Sequence, residues 1–248
     1  MDYLLVGINM KRRKKLIIAN LLIILIGLIA ITAGMLFFTS NSELSSGDKN
    51  VLVCAIDESE PRPGMGACDM AFIVELKDGS LVNYTPIYPA GLTHSNATEP
   101  EEAQKQGAGE KLLLHEAFWD SDSKLGMKYA KEIVEYNTNK SIDAVVAINS
   151  EALDKIISAA SPLEVNGQII HASGIDFIRE EQDSAGASRG DAVMNVVQAI
   201  ANSASDPIKK SKMVETALDQ YSKGNIVMEP KGAFMGLLAS KGIDSLFS

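Results

Sequence analysis

The sequence predicts an α/β fold, a layered α-β-α domain with a mixed central sheet, preceded by a single N-terminal transmembrane helix. Two observations lead to this prediction. Strand-like and helical patterns alternate after an initial hairpin, which is typical of a sheet covered by helices on both faces. An apolar run close to the N-terminus is also long enough to span a membrane.

The apolar run from residue 16 to residue 38 has no charged side chain, and Asn20 and Thr32 are its polar residues. At about 1.5 Å per residue it can cross a hydrocarbon core of about 30 Å with some tilt. The basic segment 11–15 favours a cytoplasmic N-terminus, so the C-terminal domain is expected outside the cell membrane. A cleaved signal peptide is the alternative, but its apolar region would be only about 7 to 15 residues long. We therefore expect an uncleaved single-pass signal anchor.

The sequence divides into four parts: a cytoplasmic basic tail (1–15), the transmembrane anchor (16–38), a short polar linker (39–49) and an extracytoplasmic domain (50–248). After the first forty residues the chain has 18 basic and 31 acidic residues, a net charge of −13. Because phosphate backbones are bound through positive surface, this acidic balance argues against nucleic acid as a partner.

The domain is predicted to begin with three strands. Residues 50–56 form an apolar run that ends at Asp57, and strand-like runs follow at 70–76 and 80–85. The intervening Lys77-Asp-Gly-Ser80 predicts a hairpin, because Asp-Gly accepts the positive φ of a type I′ turn. The segments 57–69 and 87–109 are predicted to be loops, since the first has two prolines and two glycines and the second is long and polar.

Helical patterns follow at about 110–118 and 122–137, and the second has apolar residues at spacings of three and four. Those residues, expected on one side of the helix, are Leu125, Tyr129, Ile133 and Tyr136. The remaining predicted elements are a strand at 142–148, a helix capped by Ser150 that ends before Pro162, a hairpin around Asn166-Gly167, a short helix reaching Arg179, helices from Ser188 to about Ala204 and from Asp206 to near Gly224, a strand at 225–228 and a C-terminal helix.

Arginine is rare in the outward part. Beyond residue 40 there are fifteen lysines but only three arginines, Arg62, Arg179 and Arg189. A guanidinium can hold a carboxylate or phosphate through two parallel hydrogen bonds, which an ammonium cannot do. The distribution suggests a site for an anionic ligand, and three structural salt bridges with nearby acids remain the alternative.

Two cysteines and three histidines complete the set of reactive side chains. Cys54 and Cys68 lie on or beside the first two predicted strands, so we expect them to be close, either as a disulfide or as buried thiols. His115-Glu116 lacks a second histidine four residues on, and His94 and His171 are distant in sequence. Surface or loop roles, and not a metal site, are therefore expected for the histidines.

The segment from residue 51 to residue 90 resembles a known family. It combines a strand ending in Asp57, the loop Glu60-Pro-Arg-Pro-Gly-Met-Gly66, Cys68-Asp69 at the start of the next strand, a Lys-Asp-Gly hairpin and the tail Ile87-Tyr-Pro-Ala90. Trp119-Asp120, Ile142–Ile148, Ile178-Arg179 and Ser188-Arg-Gly-Asp191 follow in the expected order. From residue 50 to about 205 the chain is similar to the LytR-CpsA-Psr (LCP) superfamily, especially its uncharacterised LytR-like branch in methanogenic archaea and actinobacteria.

The resemblance implies a site. Characterised LCP enzymes transfer a glycopolymer from a polyprenyl pyrophosphate carrier to the cell wall, with arginines on the pyrophosphate and aspartates on a divalent metal. It implies that Asp57 and Asp69 bind Mg²⁺ or another divalent cation, that Arg62, Arg179 and Arg189 bind the phosphates, and that Asp57, Asp69 and Arg189 act in catalysis. Arginine forks and an oxygen-bound cation are the groups that phosphoryl transfer requires.

The chain also departs from the family pattern. The Ile-Pro-Arg-Asp expected after the hairpin is Tyr88-Pro89-Ala90-Gly91, and Ala192 and Val193 replace a second Arg and Gln. Two function hypotheses therefore stay open. The first is a membrane-anchored phosphotransferase that binds a polyprenyl (pyro)phosphate-linked glycan and transfers it to a surface acceptor. The second is a non-catalytic envelope binding or scaffolding module with the same fold.

Overall fold

The computed structural model describes residues 43–60, 62–165, 168–170, 196, 199–200, 202–203, 205–233 and 236–237. Within those ranges no helix combines the length and the apolar character needed to cross a membrane. The predicted segments 1–15 and 16–38, together with Arg179, Arg189 and most of the two helices expected beside them, lie outside the described residues. The membrane anchor therefore stays a prediction.

A five-stranded mixed sheet forms the centre of the domain. It contains β1 (Asp48–Asp57), β2 (Ala67–Lys77), β3 (Ser80–Ile87), β6 (Ala144–Asn149) and β9 (Ile226–Glu229), in the order β3-β2-β1-β6-β9. β1 and β6 are parallel, and the other neighbouring pairs are antiparallel. The predicted mixed central sheet is confirmed.

The β2–β3 hairpin follows from its turn residues. Asp78 and Gly79 have φ values of 50° and 82°, the positive values that a type I′ turn requires at both central positions. Two small antiparallel sheets accompany the central one: β4 (Thr93–Thr98) with β5 (Lys111–Leu113), and β7 (Leu163–Val165) with β8 (Gln168–Ile170). The pairing of β7 with β8 confirms the second predicted hairpin.

Four helices have their bounds fixed by side-chain caps, glycine or proline: α1 (Glu101–Lys105), α2 (Ser123–Thr138), α3 (Ser150–Ala160) and α4 (Pro207–Lys223). Asp122 caps α2 and Asp206 caps α4, each by accepting hydrogen bonds from two backbone amides of the first turn. Gly224 ends α4 in the left-handed conformation that favours glycine. Short 3₁₀ turns lie at Glu43–Ser45, Pro89–Gly91 and Leu114–Glu116.

Four details of the sequence-based prediction are wrong. The expected loop at 87–109 contains a 3₁₀ turn, β4 and α1, because a strand in a small exposed sheet needs few apolar residues. The expected helix at 110–118 is β5 followed by a 3₁₀ turn. The cap of α3 is Asn149, whose side chain accepts from the amide of Ala152, and Ser150 is the first helical residue.

The fourth error concerns the buried face of α2. Tyr136, expected on that face, is 58% exposed. The buried residues are Gly126, Met127, Ala130, Ile133 and Val134, so the face is rotated by about one position. Glycine and alanine contribute little to an apolar pattern, yet Gly126 permits a close approach of the helix to Phe118, which lies 2.8 Å from where a Cβ would be.

The two faces of the sheet pack against different helices. α2 and the segment 112–118 cover one face, where they form a continuous core with Leu52, Ile73 and Val145. α3 and α4 cover the other face, where the buried residues form two smaller clusters. The domain is therefore a three-layer α-β-α arrangement, as expected.

Cys54 and Cys68 lie in the core on the α2 side. Both are fully buried and both are free thiols. Cys68 is paired in the ladder with Ile56, two residues from Cys54, so the predicted adjacency is confirmed and a disulfide is not formed. The contact with Cys54, together with burial, raises the pKa of the Cys68 thiol.

Candidate functional site

A charged cluster forms where β1 ends and β2 begins. We define it as Glu60, Arg62, Asp69, His115 and Glu116. The loop after β1 supplies the first two residues, the start of β2 supplies Asp69, and the 3₁₀ turn 114–116 supplies the last two. The cluster therefore lies at the carboxyl end of a strand, the position where α/β domains commonly bind ligands.

Gly64 explains why the loop after β1 approaches the segment 118–120 so closely, and Gly66 lets the same loop pass close to the end of β1. A Cβ at Gly64 would lie 2.2 Å from the backbone oxygen of Asp120, and one at Gly66 would lie 2.4 Å from the backbone oxygen of Asp57. Gly66 also has φ +129°, which L side chains rarely adopt. These contacts leave no room for a side chain, and they bring Arg62 beside Glu116.

The Arg62 guanidinium is held by two carboxylates. Its Nε and Nη2 donate to the two oxygens of Glu116 at 2.8 and 3.0 Å, and Nη2 also donates to Glu60 at 2.9 Å. The guanidinium carbon lies 4.9 Å from the centroid of the Trp119 ring. The hydrogen bonds that Arg62 donates to Glu116 raise the pKa of Arg62 above its usual value. Arg62 thus makes the bidentate interaction expected of it, with a carboxylate of its own chain.

His115 lies between two carboxylates. Its Nε2 is 3.6 Å from Asp69 Oδ1, and its Nδ1 is 2.9 Å from Glu116 Oε1. Interactions with Asp69 and then Glu116 raise the pKa of His115 to about 10. Burial opposes ionisation of Glu116, but hydrogen bonds from His115 and Arg62 outweigh it and lower the pKa of Glu116 to about 2. The half-buried imidazole is thus a cluster residue, contrary to the expected surface or loop role.

Glu99 adds a buried carboxyl group to the same electrostatic environment. It is 2% exposed, and Oε1 accepts a hydrogen bond from the Leu113 amide at 2.8 Å. Oε2 has no hydrogen-bond partner among the described residues. Burial raises the pKa of Glu99, Glu116 raises it further, and the positive charges of His115 and Arg62 act in the opposite direction.

The two predicted metal-side aspartates lie at the same end of the sheet. Asp57 is the last residue of β1, and its Oδ1 accepts from the Ser59 amide at 2.8 Å. Asp69 occupies a β-bulge, because Ala55 pairs with Met70 whereas Ile56 pairs with Cys68, leaving Asp69 as the extra residue. Bulges redirect side chains near functional sites, and here Asp69 faces His115. Arg179 and Arg189 are not among the described residues, so convergence of the three arginines stays a prediction.

A second feature is an apolar cavity of about 350 Å³ on the α3 and α4 side of the sheet. Strands β1, β2, β6 and β9 form its floor, and α4 forms much of its roof. Its lining residues are Leu44, Val51, Val53, Val74, Leu76, Leu81, Val146, Ile148, Ile156, Ile200, Met213, Val214, Ala217, Leu218, Tyr221, Ile226, Met228 and Leu237. Apart from the Tyr221 hydroxyl, these side chains offer no hydrogen-bonding oxygen or nitrogen, so the cavity suits a hydrocarbon ligand.

Sequence reasoning missed Glu60, His115 and Glu116 as site residues. The bond between Arg62 and Glu116 joins residues 54 positions apart, and no local spacing reveals it. The glycine pair in the loop was the available signal, since paired glycines indicate a close backbone approach. The glycine pair does not show which segment of the chain the loop approaches.

The sequence profile of a family described as a protein of unknown function (DUF4012) matches residues 46–182. The chain matches no curated protein sequence.

Solved structures share the fold. TagV from B. subtilis is 14% identical with a TM-score of 0.52, covering 81% of this chain and 83% of its own. Protein gbs0355 from Streptococcus agalactiae is 14% identical with a TM-score of 0.53, and the match covers 81% of this chain and 75% of the gbs0355 chain. A structure of TagT bound to LI-WTA is 16% identical with a TM-score of 0.50, and the match covers 83% of this chain and 77% of the TagT chain. TagV and TagT are LCP-family proteins, so the domain has an LCP-like fold.

Proposed function

The chain belongs to the DUF4012 family, and from that premise we propose that it binds a polyprenyl (pyro)phosphate-linked glycan at the cell envelope. The observation that carries this proposal is the apolar cavity of about 350 Å³ within an LCP-like fold. The TagT structure bound to LI-WTA supports the same ligand class, because TagT shares that fold.

The cavity matches the chemistry of an isoprenoid tail. Protein interiors are close-packed, with few voids larger than a water molecule, so a space of about 350 Å³ is not a packing defect. This volume falls within the usual range of small-molecule sites, about 300 to 1,000 Å³. Each CH₂ group transferred from water into such a site contributes roughly 0.8 kcal/mol. A branched hydrocarbon without polar groups fits this lining better than a sugar or peptide.

The charged end of the sheet is within reach of a head group. Val53 lines the cavity, and Asp57 ends the same strand four residues later. At about 3.3 Å per residue this separation is roughly 13 Å. A tail in the cavity can therefore be joined to a phosphate head near the charged cluster. In the proposal Arg62, Arg179 and Arg189 bind the head group, and Arg62 exchanges Glu116 for phosphate oxygens.

A divalent cation, Mg²⁺ or another, belongs to the proposed site. The carboxylates around Asp69 fit such an ion, since anionic oxygens attract it and the phosphate head group needs compensation in an acidic domain. Its chemistry would be to neutralise charge on the phosphate oxygens.

Transfer of the glycan is the catalytic form of the proposal. An acceptor hydroxyl would form a new O–P bond to the glycan phosphate, the bond from that phosphorus to the polyprenyl phosphate would break, and a carboxylate of the site, Asp57 or Asp69, would accept the hydroxyl proton. Asp57, Asp69 and Arg189 are the proposed catalytic residues. Polyprenyl phosphate would be the leaving group.

A non-catalytic binding or scaffolding module is the second candidate. Two observations favour it: Ala90 is an exposed residue where the family pattern has arginine, and Arg62 is already engaged by Glu116. An assay that follows release of polyprenyl phosphate from a lipid-linked glycan in the presence of an acceptor separates the two. Release by the wild-type protein and its loss in Asp69→Asn supports transfer. Binding of the lipid-linked glycan without release of polyprenyl phosphate supports the non-catalytic module.

The envelope location requires the predicted signal anchor at 16–38. A single cysteine placed near Ser248 of a Cys54→Ala, Cys68→Ala protein should react with a membrane-impermeant thiol reagent on intact cells. One placed near Met10 should not react. The reverse pattern would place the domain in the cytoplasm and remove the envelope function.

Filling the cavity tests the lipid proposal. Ala217→Trp adds a large side chain to the cavity lining, whereas Ser211→Trp adds the same side chain to an exposed position of the same helix. We expect Ala217→Trp to weaken binding of a polyprenyl phosphate in detergent micelles by at least about tenfold, or about 1.4 kcal/mol. Ser211→Trp should bind like wild type. Equal binding by both variants, with thermal melts showing that both are folded, would contradict the proposal.

A further inference from the structure

We propose that Glu60, Asp69 and His115 bind a divalent cation of the Zn²⁺ type. This ligand set differs from the Asp57 and Asp69 pair implied by the family resemblance. It concerns the cation of the proposed function but does not depend on lipid binding. Glu60 and Asp69 supply carboxylate oxygens, and His115 supplies Nε2 after the ion displaces the proton on that nitrogen to solvent.

The geometry of the three side chains supports the site. One ligand atom from each lies within 4.8 Å of the other two. His115 Nε2 and Asp69 Oδ1 are 3.6 Å apart. Tetrahedral Zn²⁺ with bonds of roughly 2.0 to 2.1 Å separates its ligand atoms by about 3.3 Å. The 3.6 Å separation therefore fits two ligands that share an ion.

Surrounding residues already fix the orientation of the imidazole. Metal-binding histidines commonly donate their second ring N–H to a carboxylate, which fixes the tautomer and directs the other nitrogen to the metal. His115 Nδ1 meets Glu116 Oε1 at 2.9 Å, which leaves Nε2 facing Asp69. Arg62 in turn holds both oxygens of Glu116. This carboxylate–histidine arrangement is assembled before any ion binds.

Glu99 is a buried carboxyl group, incompletely hydrogen-bonded within the described ranges, in the same electrostatic environment as the cluster. Its carboxyl group is 2% exposed, and Oε2 has no hydrogen-bond partner in the described part of the chain. Buried carboxyl oxygens are normally paired, since an unpaired one costs free energy. Glu99 interacts electrostatically with Glu116, His115 and Arg62, so the cluster is close enough to act on this carboxyl group.

The ligand types decide which cation the site prefers. Mg²⁺ selects oxygen ligands in octahedral geometry, whereas an imidazole nitrogen favours Zn²⁺ and its neighbours in the first transition row. The side chain of Glu60 is 45% exposed and that of Asp69 is 23% exposed, so water or a substrate oxygen can reach a fourth position. Three protein ligands with one open position are typical of catalytic zinc sites.

Equilibrium metal binding tests the assignment directly. Full-length protein is stripped with a chelator and titrated with ZnCl₂ and, separately, MgCl₂ in a calorimeter. We expect one Zn²⁺ per chain, bound at least about tenfold more tightly than Mg²⁺. His115→Gln and Glu60→Gln should each weaken Zn²⁺ binding by about 100-fold, and Glu116→Gln by about tenfold.

Two control variants make the result specific. His94→Gln alters another histidine whose Nε2 meets a carboxylate, that of Glu132 at 3.0 Å, and it should leave Zn²⁺ affinity unchanged. Asp143→Asn removes a carboxylate outside the cluster, keeps an oxygen that can accept from the Asn50 amide, and should also leave affinity unchanged. Thermal melts confirm that each variant is folded. If His115→Gln does not fold, the Zn²⁺ affinity of Glu60→Gln, a variant at a partly exposed position, tests the site instead.

Two outcomes overturn the inference. Unchanged Zn²⁺ affinity in Glu60→Gln and His115→Gln removes these residues as ligands. Loss of affinity in Asp57→Asn without loss in Glu60→Gln assigns the ion to the aspartate pair instead. A spectroscopic check uses Co²⁺, whose visible absorption reports nitrogen ligation and should change in His115→Gln but not in His94→Gln. None of these measurements involves lipid, so their failure is distinguishable from failure of lipid binding.

Discussion

The two faces of the central sheet are built from the same strands but are filled differently. On the α2 side, Leu52, Ile73 and Ile133 are fully buried and the core is continuous. On the α3 and α4 side a cavity of about 350 Å³ remains. Val145 and Val146 are adjacent in β6, yet the first belongs to the filled face and the second lines the cavity. One face is therefore filled and stabilises the fold, and the other has the space that the proposed lipid would occupy.

Enlarging a side chain on each face should give the largest difference in stability between the two faces. Ala147 is fully buried on the filled face, so Ala147→Phe is expected to lower the free energy of unfolding by about 3 kcal/mol or more. Val146→Phe projects the same ring into the cavity and should be neutral or stabilising by up to about 1 kcal/mol. Urea denaturation measures both. Similar destabilisation by the two variants would mean that the cavity face is packed as tightly as the other.

Shortening a side chain on each face should give a smaller difference in stability, again with the larger loss on the filled face. Val145→Ala opens a new void in a filled core and is expected to cost about 2 to 3 kcal/mol. Val146→Ala enlarges an existing cavity and should cost only about 1 kcal/mol. Thermal and urea denaturation of the two variants gives the comparison. Equal losses would show that the cavity lining contributes as much to stability as the core.

Replacing the three arginines tests binding of the phosphate head group, at the opposite end of the proposed ligand from its tail. Replacing Arg62, Arg179 and Arg189 together by lysine keeps the charge but removes the two-bond fork. We expect the affinity for a polyprenyl phosphate to fall by at least about tenfold, because each charge-assisted bond contributes roughly 1.5 to 3 kcal/mol. Replacing Lys105, Lys128 and Lys131 by arginine is the matched control, since all three make exposed i,i+4 pairs. Unchanged binding by a folded triple lysine variant would leave a structural salt-bridge role.

Local sequence signals predicted the scaffold well. The Lys-Asp-Gly turn, the cap at Asp206 and the glycine at 224 are each determined within a few residues, and their positions are confirmed. The buried strands β1 and β6 were visible as continuous apolar runs. These features depend on local backbone preferences and on hydrophobicity, which a single sequence displays directly.

The site was less accessible to sequence analysis, for two physical reasons. The charged cluster joins Arg62 to Glu116 and Asp69 to His115, pairs that only the tertiary fold brings together. The cavity is lined by Val, Ile, Leu and Met, the residue types that also fill a core. Whether such residues meet across a sheet or leave a space depends on the position of α4, which no local pattern determines.

The most direct test of the account is to locate the tail of a bound lipid. A polyprenyl phosphate with a photoreactive group near the end of its tail is bound to the full-length protein, irradiated, and mapped by mass spectrometry. The account predicts crosslinks to cavity-lining residues of α4, such as Met213 and Leu218, and their loss in Ala217→Trp but not in Ser211→Trp. Crosslinks confined to residues outside the cavity, or unchanged by Ala217→Trp, would contradict the claim that this face of the sheet holds the lipid.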